Sequence, residues 1–162
     1  MTLAALLFSA GLTLSPQQAD IVERVVGEGK PECLVYRLDE TEVPCRPVFS
    51  VTAGVHVNAW ADGEQIRLSH AAVMRLNRQE FALLVAHEVA HYLLGHRTSS
   101  PAAELAADRL GAQLACRAGY DPAAGLSLLR HLAAGSTHPR RQQRRAVILS
   151  VACQRQSATF AR

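Results

Sequence analysis

The sequence predicts an α+β domain, rich in helix, with a small antiparallel sheet packed by one unusually apolar helix. Three observations carry that expectation. The chain has 162 residues, 49% hydrophobic and 19% charged, which suits a single globular core. Residues 78–94 place Phe81, Leu84, Val85, Val89, Leu93 and Leu94 at helical spacing. Val55 to Trp60 alternates with period two, Asp62-Gly63 is a tight-turn pair, and Gln65 to Leu68 resumes the alternation, giving a β-hairpin at about residues 55–68.

The remaining elements follow from local signals. Ser15-Pro16 opens a helix with a capping hydroxyl and a proline at the first helical position, and Gly27 to Gly29 closes it. Residues 33–52 read as short extended pieces broken by Pro44 and Pro47. Ser69 caps a short helix through Leu76. Asn77, with Glu80 three residues on, forms an asparagine-headed capping box for the apolar helix, which ends near Gly95. Ser100-Pro101 starts a further helix that Gly119 ends. Asp121-Pro122 starts another running to about Ala134, and His138-Pro139 the last one. Repeats and linkers are absent from the pattern, so residues 15–162 read as one domain.

Residues 1–14, MTLAALLFSAGLTL, are apolar but too short to cross a hydrocarbon layer about 30 Å thick. They read either as a secretory signal or trimmed anchor, or as a first core helix. No Lys or Arg precedes the run and no small-x-small cleavage site follows it, while Leu3, Leu6, Leu7, Ala10 and Leu14 share helical spacing.

Composition and charge exclude some functions. The four cysteines, Cys33, Cys45, Cys116 and Cys153, contain no CxxC pair, which argues against a zinc ribbon or a thioredoxin-type redox site. Cys33 and Cys45 are candidates for a disulfide in an oxidising compartment. Cys116 and Cys153 fall in helical segments and read as small buried hydrophobes. Residues 1–86 carry 7 basic and 10 acidic side chains, and residues 87–162 carry 10 basic and 4 acidic. The excess peaks at Arg140, Arg141, Arg144 and Arg145, with no aromatic nearby, so a nucleic-acid partner is not expected. That helix reads as a solvated or salt-bridged face, or as a contact for anionic lipid head groups that leaves peripheral membrane association open.

The chemistry lies in Val85 to Tyr92, VAHEVAHY. Two imidazoles and a carboxylate inside an apolar helix cost several kcal/mol unless something pairs with them. His87 and His91, four residues apart, share a helix face and can aim one nitrogen each at a common zinc ion, while Glu88 is turned by about 100° beside them. This HExxH arrangement supplies two neutral ligands and a base able to take a proton from metal-bound water. A catalytic zinc needs a third protein ligand and an open position. The metzincin extension would require Gly and His where the chain has Leu94 and Arg97. His96, rotated by about 140° from His91 on a continued helix, reads as lying at the exposed helix end. The better third ligand is Glu104, four residues before Asp108 on an Ala- and Leu-rich helix. Asp108 can then accept the free N–H of a ligating imidazole.

HEVAH, ELAAD, AGYDP (118–122) and THPRRQQRR (137–145), with VNAWADG (57–63) ahead of them, resemble in order and spacing the gluzincin zinc metallopeptidases that include HtpX and the CAAX prenyl endopeptidases. The resemblance covers about residues 51–150. It implies a zincin-like fold and a zinc metalloendopeptidase holding one Zn²⁺ per chain on His87, His91 and Glu104, with Glu88 as general base and acid. It implies that the His138 segment folds back, so that His138 covers the metal or stabilises the transition state, unless it only caps its helix. Arg144 would pair with an acid such as Asp108. Asn58, Ala59 and Trp60 would bind substrate as an added strand, unless their faces simply meet solvent or core. Lacking the transmembrane helices of those branches, the chain reads as a minimal catalytic domain. The expected substrate is an extended or unfolded polypeptide, as in protein quality control, and the expected location periplasmic or otherwise exported, with the cytoplasm as the alternative. The competing function is a non-proteolytic zinc-containing module that binds peptides or anions. Oligomeric state is not legible.

Overall fold

A computed structural model of the chain describes residues 13–27, 34–36, 40, 42–132 and 139–153. Helix α1 (Pro16–Val26) is followed by strands β1 (Leu34–Tyr36), β2 (Glu42–Pro44), β3 (Val48–Thr52), β4 (Ala59–Ala61) and β5 (Gln65–Ser69). Helices α2 (His70–Arg75), α3 (Arg78–Leu94), α4 (Pro101–Arg117), α5 (Leu128–His131) and α6 (Arg141–Leu149) complete it. The architecture is the expected α+β one: helices around a small sheet, consistent with a zincin-like domain. Among the described residues, no helix is long and apolar enough to cross a membrane. The apolar segment 1–12 lies outside them.

Helix α3 is the centre of the core. Every residue from Glu80 to Tyr92 is buried, which is what a helix apolar on all sides demands. Its start is fixed by the capping box: Asn77 Oδ1 accepts from the backbone N–H groups of Gln79 and Glu80, both at 3.0 Å, and Glu80 Oε2 accepts from the Asn77 N–H at 2.9 Å. Its end is fixed by Gly95 in the left-handed region, φ 69°. Against it pack α1, α4, α5 and β4. Tyr92 Oη donates to the Pro44 carbonyl at 2.8 Å and ties the β1–β2 ribbon to α3.

Helices α3 and α4 approach closely. At Gly111 of α4 an added Cβ would stand 3.0 Å from both Cα and N of His87. Glycine is required there by space, not by φ.

The sheet runs β3-β5-β4. The hairpin forms as expected, with Ala59 opposite Leu68 and Ala61 opposite Ile66, but β3 adds to the far side of β5 in parallel, so the sheet is mixed. Ile66 and Leu68 point into the core, fully buried. The hairpin is also shorter than predicted. Residues 55–58 are not strand, because β5 ends at Ser69 and hands the chain to α2, leaving nothing for 55–57 to pair with. That segment instead folds over the α2 start, where the Ala71 N–H donates to the Gly54 carbonyl at 3.0 Å.

Two further expectations change. The helix expected from Asp121-Pro122 is, over residues 121–132, a series of turns leading into the one-turn α5, since Gly125 lies against α3 where a Cβ would stand 2.8 Å from the Gln79 carbonyl; its expected end near Ala134 lies outside the described residues. Cys116 and Cys153 are not two separate buried thiols; they form a disulfide with Cα atoms 5.2 Å apart, joining the end of α4 to the segment that follows α6. The proposed Cys33–Cys45 pairing falls on Cys33, outside the described residues.

Candidate metal centre

Three donors converge at the junction of α3 and α4. His87 Nε2 and His91 Nε2 stand 3.0 Å apart. Glu104 reaches His87 Nε2 with Oε2 at 3.4 Å and His91 Nε2 with Oε1 at 3.6 Å. Ligand atoms about 2.0–2.1 Å from a tetrahedral zinc stand about 3.3 Å from one another. The three separations bracket that value. Among the described residues these three form a group of His, Cys, Asp or Glu that could hold a metal ion.

The hydrogen bonds around the triad decide the proton positions. Asp108 Oδ1 lies 3.1 Å from His87 Nδ1, so this nitrogen carries the hydrogen and His87 Nε2 carries the lone pair. Asp108 is held in turn by Arg144, whose Nε and Nη2 donate to Oδ2 and Oδ1 at 2.8 and 2.7 Å. Ser99 Oγ donates to Glu104 Oε1 at 2.9 Å. All of His87, Glu88, His91, Glu104, Asp108 and Arg144 are buried. Two imidazole lone pairs and a carboxylate facing one another in a buried site make a donor set suited to a cation.

The buried titratable groups perturb one another strongly. Burial disfavours a charged His87, but hydrogen bonds to Asp108 and Glu104 outweigh it and push the imidazole up to about 9. Burial and the neighbouring His87 hold His91 down to about 3. Glu104 falls well below the usual carboxylate range, since its contacts with His87 and His91 overcome burial. Burial pushes Glu88 up.

Glu88 projects beside the triad into a cleft of about 350 Å³. Asn58, Ala59, Trp60 and Ala61 form one wall, and the Ala61 N–H faces the Glu88 carboxylate. The cleft also has an apolar lining, with Leu83, Leu128, Leu129, Leu132 and Ile148. Asn58 is positioned by Ser69, whose hydroxyl accepts from the Asn58 N–H at 3.0 Å and from the Ala72 N–H at 3.1 Å.

The sequence-predicted set His87, Glu88, His91, Glu104, Asp108, Arg144, Asn58, Ala59 and Trp60 is thus gathered around one cleft. His138 lies outside the described residues. Two contacts went unread. Ser99 bonds Glu104, and His96 is not a remote residue at an exposed helix end: its Nδ1 stands 3.0 Å from His91 Nδ1. A continued helix would rotate His96 away from His91, but α3 ends at Leu94 and Gly95 turns the chain back.

A buried His-Glu-x-x-His helix, a carboxylate donor from the following helix and an edge strand beside them are consistent with a zincin-like domain that has a possible metal site. Residues 32–103 match the model of peptidase family M48, which supports an M48 metallopeptidase domain of the HtpX and CAAX-endopeptidase kind. The matched segment includes His87, Glu88 and His91 but stops one residue short of Glu104, so the third donor rests on geometry. No curated protein matches the chain.

Proposed function

We propose that the protein is a zinc-dependent endopeptidase acting on extended or unfolded polypeptide segments. The observation that carries this reading is the convergence of His87, His91 and Glu104 at a cleft that also holds Glu88 and the edge strand β4. Zinc held by the three donors would polarise the scissile carbonyl and acidify the attacking water. The protein supplies the rest. Glu88, whose burial raises its proton affinity, takes the proton from the attacking water and returns it to the leaving amine. Asp108, clamped by Arg144, keeps the hydrogen of His87 on Nδ1 and its Nε2 free. A peptide added as a strand beside β4 would present its backbone to the Ala59–Ala61 segment and one side chain to the Leu83–Leu128–Leu132 wall.

That wall favours a large apolar side chain next to the cleaved bond. Recognition through main-chain hydrogen bonds otherwise reads backbone, which suits unfolded substrates. The Cys116–Cys153 disulfide supports an exported, oxidising location. The test is cleavage of an unfolded protein, abolished by a chelator and restored by one equivalent of zinc. Zinc binding without any cleavage would favour the non-proteolytic module instead.

A further inference from the structure

We infer that His96 is a positioning residue that fixes the tautomer and ring orientation of His91. The inference rests on the reading of His87, His91 and Glu104 as metal ligands. Its origin is local. Gly95, in the left-handed conformation, turns the chain back over the last turn of α3; its N–H bonds the Tyr92 carbonyl at 3.3 Å, and the His96 N–H donates to the His91 carbonyl at 3.1 Å. This is the Schellman arrangement, in which the second residue past the helix returns to a residue five earlier. Here the residue five earlier is a ligand.

The ring follows the backbone. The imidazoles of His91 and His96 meet edge to face, with centroids 5.0 Å apart, interplanar angle 68° and facing Nδ1 atoms at 3.0 Å. His91 can present a lone pair at Nε2 only if its hydrogen sits on Nδ1, and that N–H needs an acceptor. The half-buried His96 offers one when its own hydrogen is on Nε2. All three donors then have an outer partner: Asp108 for His87, Ser99 for Glu104 and His96 for His91. Two of those partners lie on the short connection between α3 and α4. The end of the zinc helix and the loop after it therefore complete the site by backbone geometry, not by extending the ligand motif.

The experiment compares zinc affinity, by competition with a chromophoric chelator, for wild type, His96→Ala and His96→Gln, together with thermal unfolding of the metal-free proteins. Removing an outer partner of a ligating imidazole typically lowers metal affinity by about 10- to 100-fold. His96→Ala is expected to show that loss with metal-free unfolding close to wild type. His96→Gln, whose side-chain carbonyl can accept the same N–H, is expected to recover most of it. Zinc affinity of His96→Ala within threefold of wild type would overturn the inference. So would a loss that His96→Gln does not recover at all, because acceptance of a hydrogen bond would not then be its role. A wild type that binds no stoichiometric zinc would instead overturn the ligand assignment beneath it.

Discussion

Gly111 couples the fold to the site most tightly, and Gly111→Ala measures that coupling. The added Cβ would meet His87 Cα and N at 3.0 Å and the Ala86 carbonyl carbon at 3.1 Å, where ordinary contacts begin near 3.4 Å. All three atoms are backbone, so no side chain can swing away. Helices α3 and α4 must separate by about 0.5 Å, and overpacking of this kind costs about 1–3 kcal/mol. Alanine's better helix propensity offsets about 1 kcal/mol of that. The net loss is on the order of 1 kcal/mol, or a few degrees in Tm for a chain of this size. The effect on the site is larger. Glu104 and Asp108 ride on α4 while His87 and His91 ride on α3, and metal–ligand distances tolerate only about ±0.2 Å. Zinc affinity should fall at least tenfold. The assay is chelator competition beside metal-free thermal unfolding, with the exposed Gln113→Ala on the same helix as control. A Gly111→Ala protein that is about 1 kcal/mol more stable than wild type and binds zinc as tightly would refute the close approach.

Two other expectations concern stability. The Cys116–Cys153 disulfide closes a span of 37 residues, for which chain entropy allows about 4 kcal/mol; the double variant Cys116→Ser/Cys153→Ser should unfold on the order of 10 °C lower, and a change under about 2 °C would contradict the cross-link. Burial alone would raise the Glu80 carboxyl, but hydrogen bonds from Ser127 and the Asn77 N–H overcome it and hold the group below its ordinary 4.5. A depressed acid stabilises the fold above its unfolded pKa and loses that contribution as pH falls, so Glu80→Ala should cost about 1 kcal/mol at pH 7, with the difference closing below about pH 4.5. A gap independent of pH in denaturant titrations would rule out the charged cap.

What the sequence made legible were features that local rules contradict or satisfy strongly. His87, Glu88 and His91 stand out because burial makes them expensive, and Glu104 and Asp108 because acids on an apolar face need a partner. The caps at Ser15, Ser69, Asn77 and Ser100 were readable from residue type and spacing, and all four form. The losses came where tertiary structure overrides local pattern. His96 was misplaced because Gly95 ends the helix and reverses the chain, which residue rotation along a continued helix ignores. Ser99 and Ser100 are adjacent hydroxyls, and nothing local says that one caps α4 while the other bonds Glu104. The parallel pairing of β3 with β5 and the Cys116–Cys153 bond are long-range contacts without a spacing signal.

The proposed function requires that the buried constellation hold zinc and that Glu88 move protons beside it. The most direct measurement is zinc stoichiometry together with cleavage of an unfolded protein for wild type and Glu88→Gln. Both proteins should bind one zinc per chain, and only the wild type should cleave, with Glu88→Gln lower by at least about 100-fold. A wild type without stoichiometric zinc, or a Glu88→Gln protein that cleaves as well as wild type, would contradict the account.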